Sequence, residues 1–536
     1  MAQLRIIKRC NMKERKIGLI NYTAYGLGDV LGAGSMAVIS TWVLFFYTTY
    51  CNLGPLQAGI IFASARIIDA IASPLIGYLS DNADSTRLGR RFGRRRIFLL
   101  IAIPLLPSFA LMWVSGQHFL YYLCTYIFFE LVYASVLIPY ETLAAEMTND
   151  FRKKGMFAGA RILVGHMSAI AATILPAWIV SALGGQDSPD TFLVMGGIFS
   201  VAFMLVVAFV YLFTWERDKS ALELENDKKQ RTSYVKAFSK LYKGLGFTFK
   251  IRAFRLHLGM YLGGYISQDI FNAAFTYFAA FALGGMFAYS ASESLSLTSY
   301  LMASIFTVQT LAVGAVFACV ALLPKFFPAL TYRFAVVSYI IGIIGLASFY
   351  YFAPASQTGQ ISWMVIALIF AGIGRGILNY IPWNTYNYMA DVDQIVTGQR
   401  REGSFAGVMT FVRKATQASA VFAVGAALEL GGLIKGEKVQ SADVMQSIVM
   451  IMTIGPVIVL LLGYWVSTKF HLNTDTHTIL MGEIARFEQG LHEPSSPQNK
   501  AIIEDLTGWQ YEQLWGKNAL LNDNKPLAKA KIVGEA

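Results

Sequence analysis

Apolar runs of about twenty residues, separated by short polar connectors, recur along most of this 536-residue chain. A helix of that length crosses about 30 Å of hydrocarbon, because each residue advances it by about 1.5 Å. The pattern predicts twelve membrane-spanning helices, at 24–50, 57–79, 97–115, 120–143, 157–183, 192–214, 256–283, 297–323, 334–352, 361–388, 405–430 and 444–466. A basic, polar stretch at 215–255 divides them six and six. The expected organisation is an N-terminal segment 1–23, helical bundles at 24–214 and 256–466 joined by the 215–255 linker, and a tail at 467–536. The tail carries one amphipathic stretch, HTILMGEIARFEQGL, which predicts a surface helix followed by a disordered end.

Composition agrees with an all-α membrane protein. Apolar residues make up 55% of the chain and charged residues only 14%, with mean hydropathy +0.49. Of the Lys and Arg between the spans, thirty fall on one alternating set of connectors and termini, against Lys435 and Lys438 on the other. Short cytoplasmic loops retain basic residues, so a multi-pass protein of the cell's inner (plasma) membrane with both termini cytoplasmic is expected. The net charge of +11 then reflects this bias and attraction to anionic lipid headgroups, and nucleic acid is not an expected partner. The basic N-terminus leads into a span too long for a cleaved signal. Cys10, Cys51, Cys124 and Cys319 are scattered singly, which fits neither a disulfide framework nor a zinc site. The chain carries no His-Glu-x-x-His, no Gly-x-x-x-x-Gly-Lys phosphate loop and no Cys-x-x-Cys. An ion gradient rather than ATP is the expected energy source, and an enzyme is not expected.

Candidate chemistry lies where charge enters the spans. Asp29, Asp69, Glu130, Glu141 and Asp269 fall within them, as do Arg66, Arg161, Arg375, Arg413 and Lys414. A charge at membrane depth costs about 3 kcal/mol on insertion scales, so these side chains should pair with one another or face a wet cavity. Arg413 is read either this way or as snorkelling toward lipid headgroups. Arg66, Asp69 and Ser73 share one helical face, as do Glu130, Tyr133, Leu137 and Glu141 on the fourth span. The second face, polar and aromatic together, suits sugar hydroxyls and a pyranose ring, with Tyr133 and Trp383 the foremost stacking candidates. His166, one turn beyond Arg161, is read as a helix-packing histidine.

Two segments repeat. IPYETLAAEM closes the fourth span and IPWNTYNYMAD the tenth, at corresponding places in the two halves. Two repeated six-helix bundles with a site between them describe the major facilitator fold. The loop SDNADSTRLGRRFGRRR resembles an expanded Asp-x-Thr-x-Ser-x-x-Gly-Arg-x-Arg loop of the glycoside-pentoside-hexuronide:cation symporters, the family of the melibiose permease. IPYETLAAEMTNDFRKKGMFAGAR, ADVDQIVTGQRREGSFAGVMTFVRK and YGLGD resemble further segments of that family, across residues 17–490.

The resemblance implies a sugar:cation symporter with a small-molecule sugar substrate, membrane lipid as surroundings, no cofactor beyond a coupled H+ or Na+, and a monomeric chain. It places Asp69, with Asp29 and Ser73, at the cation site, with Arg66 beside it and Lys414 where the cation and sugar sites meet; the buried charges and the polar, aromatic face read from the residues add Glu130, Tyr133, Glu141, Arg161 and Trp383, with Arg66 and Lys414, as substrate-binding candidates. Ser73, Ala33 and Leu137 stand where relatives carry acids. Sodium wants several hard oxygen ligands whereas a proton needs one carboxyl, so proton coupling at Asp69 is favoured over sodium. Asp81, Arg94, Asp391 and Glu402, at the cytoplasmic ends of spans, are expected to latch the bundles during alternating access. The alternative reading is a lysolipid or other amphiphile carrier of the same fold.

Overall fold

The computed structural model describes residues 17–81, 83–148, 150–183, 188–216, 248–322, 327–386, 388–398 and 402–517, without the side chains of 145, 151, 152, 321 and 402–407. Most of the linker's basic residues, the basic N-terminus, Lys325, Arg400, Arg401 and the end of the tail lie outside these residues, as does the Glu402 side chain.

Among the described residues twelve helices make up the two halves, nine of them long and apolar enough to cross a membrane. They are α1 (Leu19–Thr49), α2 (Pro55–Asp81), α3 (Arg96–Leu105, resuming at Ser108–Leu111), α4 (Phe119–Met147), α5 (Phe151–Ala182) and α6 (Asp190–Phe213). The second half repeats the count with α7 (Arg252–Tyr277, extended through Phe278–Leu283 and Gly284–Met286), α8 (Ala291–Leu322), α9 (Pro328–Phe352), α10 (Gln357–Tyr386), α11 (Glu402–Leu430) and α12 (Ala442–Ser467). Several helices begin a turn or more before their apolar runs, because the connectors continue as helix beyond the hydrocarbon. Pro104 and Pro107 withhold backbone donors in α3, and the helix breaks there.

The two helices that meet between the halves, α1 and α7, both depart from regular α-helix. Val30–Gly34 and Ile39–Val43 of α1 widen to π geometry, as does Phe278–Leu283 of α7. Such widening often marks functional positions. Here the first π segment begins directly after Asp29.

The halves meet through α2 against α11, α5 against α8, and α1 against α7. Their contacts are tight at the end away from the termini. Thr48 Oγ1 and Tyr277 Oη lie 2.7 Å apart, Thr276 Oγ1 donates to Thr41 O at 2.8 Å, and the Leu56 amide donates to Glu429 at 2.9 Å. Gly425 lets the α11 backbone approach α2 closely, since a Cβ there would lie 2.5 Å from Pro55 O. A short helix, Met389–Thr397, connects α10 toward α11.

The tail differs from the single surface helix expected. It forms α13 (Thr474–Glu488) and α14 (Pro497–Thr507), followed by a turn at Tyr511–Gln513. It packs onto the second half: Trp515 and Gly516 amides donate to Ile395 and Val396 carbonyls at 2.8 and 3.0 Å. Leu480, Ile484, Phe487, Ile503 and Leu506 are buried beneath it. Burial of this apolar face explains why the segment is ordered rather than a solvated helix. Among these groups burial pushes the Glu483 carboxyl up, but hydrogen bonds from Ser495 and Tyr511 outweigh it and hold it below the usual range.

Candidate functional site

The intramembrane charges gather into four assemblies, the first of which bridges the halves. In the first, Arg66 of α2 donates through Nη1 to both Glu130 oxygens on α4, at 3.1 and 3.0 Å, and lies 3.5 Å from Asp69. Its Nε and Nη2 donate across the interface to Gln417 Oε1 on α11, at 3.0 and 2.7 Å. Lys414, also on α11, reaches Asp69 Oδ2 at 2.7 Å and Ser73 Oγ at 2.6 Å, while Ser73 donates to Asp69 Oδ1 at 3.0 Å. Asp69 and Glu130 are fully buried. Two carboxylates thus face two cations, and Asp69 is held from both halves at once.

The second assembly lies along α1, α4 and α5. Arg161 bonds Asp29 through Nε at 3.0 Å and Glu141 through Nη2 at 2.6 Å, with its guanidinium 5.5 Å from the centre of the Tyr140 ring. The Asp29 carboxylate fits only because its neighbours are glycines. A Cβ at Gly32 or Gly165 would stand 2.5 or 2.2 Å from its oxygens. One cation therefore serves two carboxylates.

Across the gap, Arg413 of α11 forms two bonds to Asp269 of α7, at 2.6 and 2.9 Å, and lies 4.8 Å from the centre of the Tyr265 ring. Of the two readings of Arg413, inward pairing is the one formed, and the snorkelling reading is corrected. The fourth assembly surrounds Arg375 of α10. It donates through Nε to Gln309 Oε1 at 3.0 Å and through Nη1 to Asn272 Oδ1 at 2.7 Å. Phe271, Phe306 and Tyr339 rings surround its guanidinium.

A cavity of about 310 Å³ opens between the second and fourth assemblies. Much of its lining is apolar, including Met36, Ile162 and Phe306; its polar side chains are Asp29, Ser40 and His166 from the first half and Gln268, Asp269, Asn272, Gln309, Arg375, Asn379, Arg413 and Gln417 from the second. Gln268 Nε2 donates to Asn379 Oδ1 at 3.2 Å. Convergent amides and charged groups of this kind match the hydroxyls of a small polyol. His166 keeps a packing contact as well, 3.3 Å from Thr310 Oγ1.

Of the candidate residues, Asp29 is on the cavity wall. Arg66 and Glu130 lie one layer behind Met36 and Gln417, bonded to each other. Tyr133 is 8% exposed, with its hydroxyl 3.4 Å from Gly32 O. Trp383 donates through Nε1 to Tyr265 Oη at 2.9 Å, one residue removed from the cavity. Glu141 and Arg161 meet Asp29, and Lys414 and Ser73 meet Asp69.

The latch candidates are joined within each half in this conformation. Arg94 bonds Glu146 at 2.7 Å and Arg95 bonds Asp81 at 2.7 Å, while the amides of Arg94, Arg95 and Arg96 all donate to the Glu216 carboxylate, at 2.9, 2.8 and 2.7 Å. Asp391 meets His477 of the tail at 2.9 Å, and the His477 ring packs on Tyr388. No role for Glu216 or His477 was apparent in the sequence, because each acts on a segment far away along the chain. The α7 wall had a visible signal, the polar spacing of Gln268, Asp269 and Asn272 on one face of an apolar span.

The sequence profile of a family described as MFS/sugar transport protein matches residues 24–474. The chain belongs to this family. Its relatives include the inner membrane symporter YicJ of Escherichia coli strain K12, 25% identical over 491 residues that cover 89% of this chain and 96% of that protein. The glucuronide carrier protein homolog of the same organism is 24% identical, covering 79% of this chain and 86% of its own. The crystal structure of nucleoside transporter NupG superposes with TM-score 0.58 at 13% identity, over 85% of this chain and 100% of that one, which shows the shared fold. Together with the loop and helix-end motifs, these likenesses make the chain a major facilitator symporter of the glycoside-pentoside-hexuronide:cation type, a multi-pass membrane transporter and not an enzyme.

Proposed function

We propose that the protein carries a sugar or short oligosaccharide together with a proton, by alternating access, with Asp69 as the coupling carboxyl. The observation that carries this reading is the immediate surroundings of Asp69: one hydroxyl, from Ser73, and two cations, Arg66 and Lys414. A sodium ion needs several oxygen ligands and few converge there, whereas a proton needs only the carboxyl itself. Lys414 comes from the opposite half to Asp69, and Gln417 links Arg66 to the cavity. Protonation of Asp69 releases the attraction that joins α2 to α11, which gives the proton a direct hold on the relative position of the two halves.

Relatives named as symporters and a glucuronide carrier homolog support a sugar-like substrate. The side-chain amides of Gln268, Asn272, Gln309, Asn379 and Gln417 on the cavity wall support it too. With the termini in the cytoplasm, tight contacts at the far end describe a state closed to the outside.

The test is uptake into proteoliposomes with imposed gradients. An inward proton gradient should drive accumulation of a labelled sugar, and adding the sugar should acidify the lumen without sodium. Accumulation that requires sodium would overturn the proton assignment. Carriage of lysolipids with no sugar transported would overturn the substrate class.

A further inference from the structure

Arg375 is 1% exposed, and no carboxylate among the described residues lies within ion-pair distance of it. Its hydrogen-bond partners are neutral: the Gln309 and Asn272 side-chain oxygens, with Tyr339 Oη at 3.4 Å. The nearby acid, Asp269, is engaged by Arg413 through both oxygens. A buried guanidinium bonded to neutral groups and ringed by aromatic faces has no counter-charge to offset its loss of hydration. The site is built to hold the charge in place, since Gly372, Gly374 and Gly376 bring α10 hard against α8 and α9. A Cβ on Gly376 would stand 2.5 Å from Gln309 O, and one on Gly374 would stand 2.6 Å from the Tyr339 side chain.

The opposite wall has the reverse imbalance. Asp29 and Glu141 share the single cation Arg161, so that assembly has one negative charge more than its partners cancel. Asp29 and Arg375 both line this cavity. The cavity is therefore polarised across its width, negative on the first half and positive on the second.

We infer that Arg375 receives an anionic group of the substrate, so that this transporter selects a sugar carboxylate, a uronate or uronide, over a neutral sugar. This rests on the reading of the protein as a sugar symporter and narrows it. Gln309 and Asn272 take up Nε and Nη1 of the guanidinium and leave the Nη2 donors to the cavity, where a carboxylate oxygen gains a charge-assisted bond that a hydroxymethyl group of a neutral hexose does not match. Arg413 is less suited to that role, because a substrate carboxylate would have to displace Asp269 from it. The negative wall at Asp29 orients the substrate, repelling its carboxylate from the first half.

The experiment is competition against a labelled uronate in proteoliposomes, with galacturonate and glucuronate set beside galactose and glucose as matched pairs. The wild type should bind the acid at least tenfold more tightly than its neutral counterpart. Arg375→Gln should weaken uronate binding at least tenfold and erase the preference, while Arg375→Lys, which keeps the charge without the fork, should restore part of it. The wild-type comparison stands even where a variant fails to fold. Equal or tighter binding of neutral sugars, with proton-coupled uptake intact, would overturn this inference and leave the sugar:proton reading standing. Binding of neither class would overturn both.

Discussion

Around Asp69, two carboxylates and two cations close on one another across α2, α4 and α11. Around the cavity, Asp29 and Glu141 share Arg161 on one wall while Arg375 on the other meets only amides and aromatic rings. The first arrangement is neutral and sealed, and it joins the halves; the second is unmatched and open to a cavity. Neutral buried clusters respond to the gain or loss of one proton, because either change leaves a buried charge without its partner. Unmatched walls respond instead to a ligand that brings the missing charge. On the proposed function, the contrast separates the part of the protein that senses the coupling ion from the part that selects substrate.

The contrast breaks most visibly by removing a member of the closed cluster. Arg66→Met leaves Glu130 and Asp69 with Lys414 as the one remaining cation, and loss of one partner of a buried pair costs about 3–5 kcal/mol. Glu141→Gln should cost within about 1 kcal/mol, because Glu141 is half exposed and Arg161 keeps Asp29. Thermal unfolding of the two variants in detergent measures the difference. Equal losses would mean that the two assemblies do not differ in kind.

A smaller effect sharpens the cavity side. Gly165→Ala places a Cβ 2.2 Å from the present position of Asp29 Oδ2, which forces the carboxylate away from Arg161. Overpacking of this size costs about 1–3 kcal/mol. The variant should fold and lose most substrate affinity, read by equilibrium binding, whereas unaltered affinity would remove Asp29 from the substrate wall.

The loops supply the smallest effect. Arg94 and Asp391 bond Glu146 and His477 in this state, so a latch between halves has to form by partner exchange. Arg94→Ala or Asp391→Ala should slow transport severalfold, in line with the roughly 1 kcal/mol of a partly exposed ion pair, while leaving substrate affinity nearly unchanged. Wild-type turnover in both variants would exclude the latch.

The periodicity of the chain was enough to read twelve helices, since length and apolarity are local properties and the membrane enforces both. The charged positions within those helices were equally plain, and the helical spacing of Arg66, Asp69 and Ser73 placed them together correctly. What the sequence could not show was pairing between helices. Five acids and five bases suggested one-to-one pairing, but Arg161 takes two acids and Arg375 none, because partnership depends on how α4 turns against α5 and α10 against α8. The polar wall of α7 was overlooked for a related reason: Gln268 and Asn272 are as polar as Asp269 but carry no charge, and charge alone did not single them out. The tail was under-read because its apolar face gains a partner only when it meets the α10–α11 connection.

The central claim is that Asp69 carries the coupled proton, and one variant tests it directly. Asp69→Asn keeps the shape of the side chain and removes its titration. In proteoliposomes under an inward proton gradient, the account predicts that this variant still exchanges labelled for unlabelled sugar but no longer accumulates it, and that sugar addition no longer acidifies the lumen. Accumulation at the wild-type level, with the proton signal intact, would contradict it.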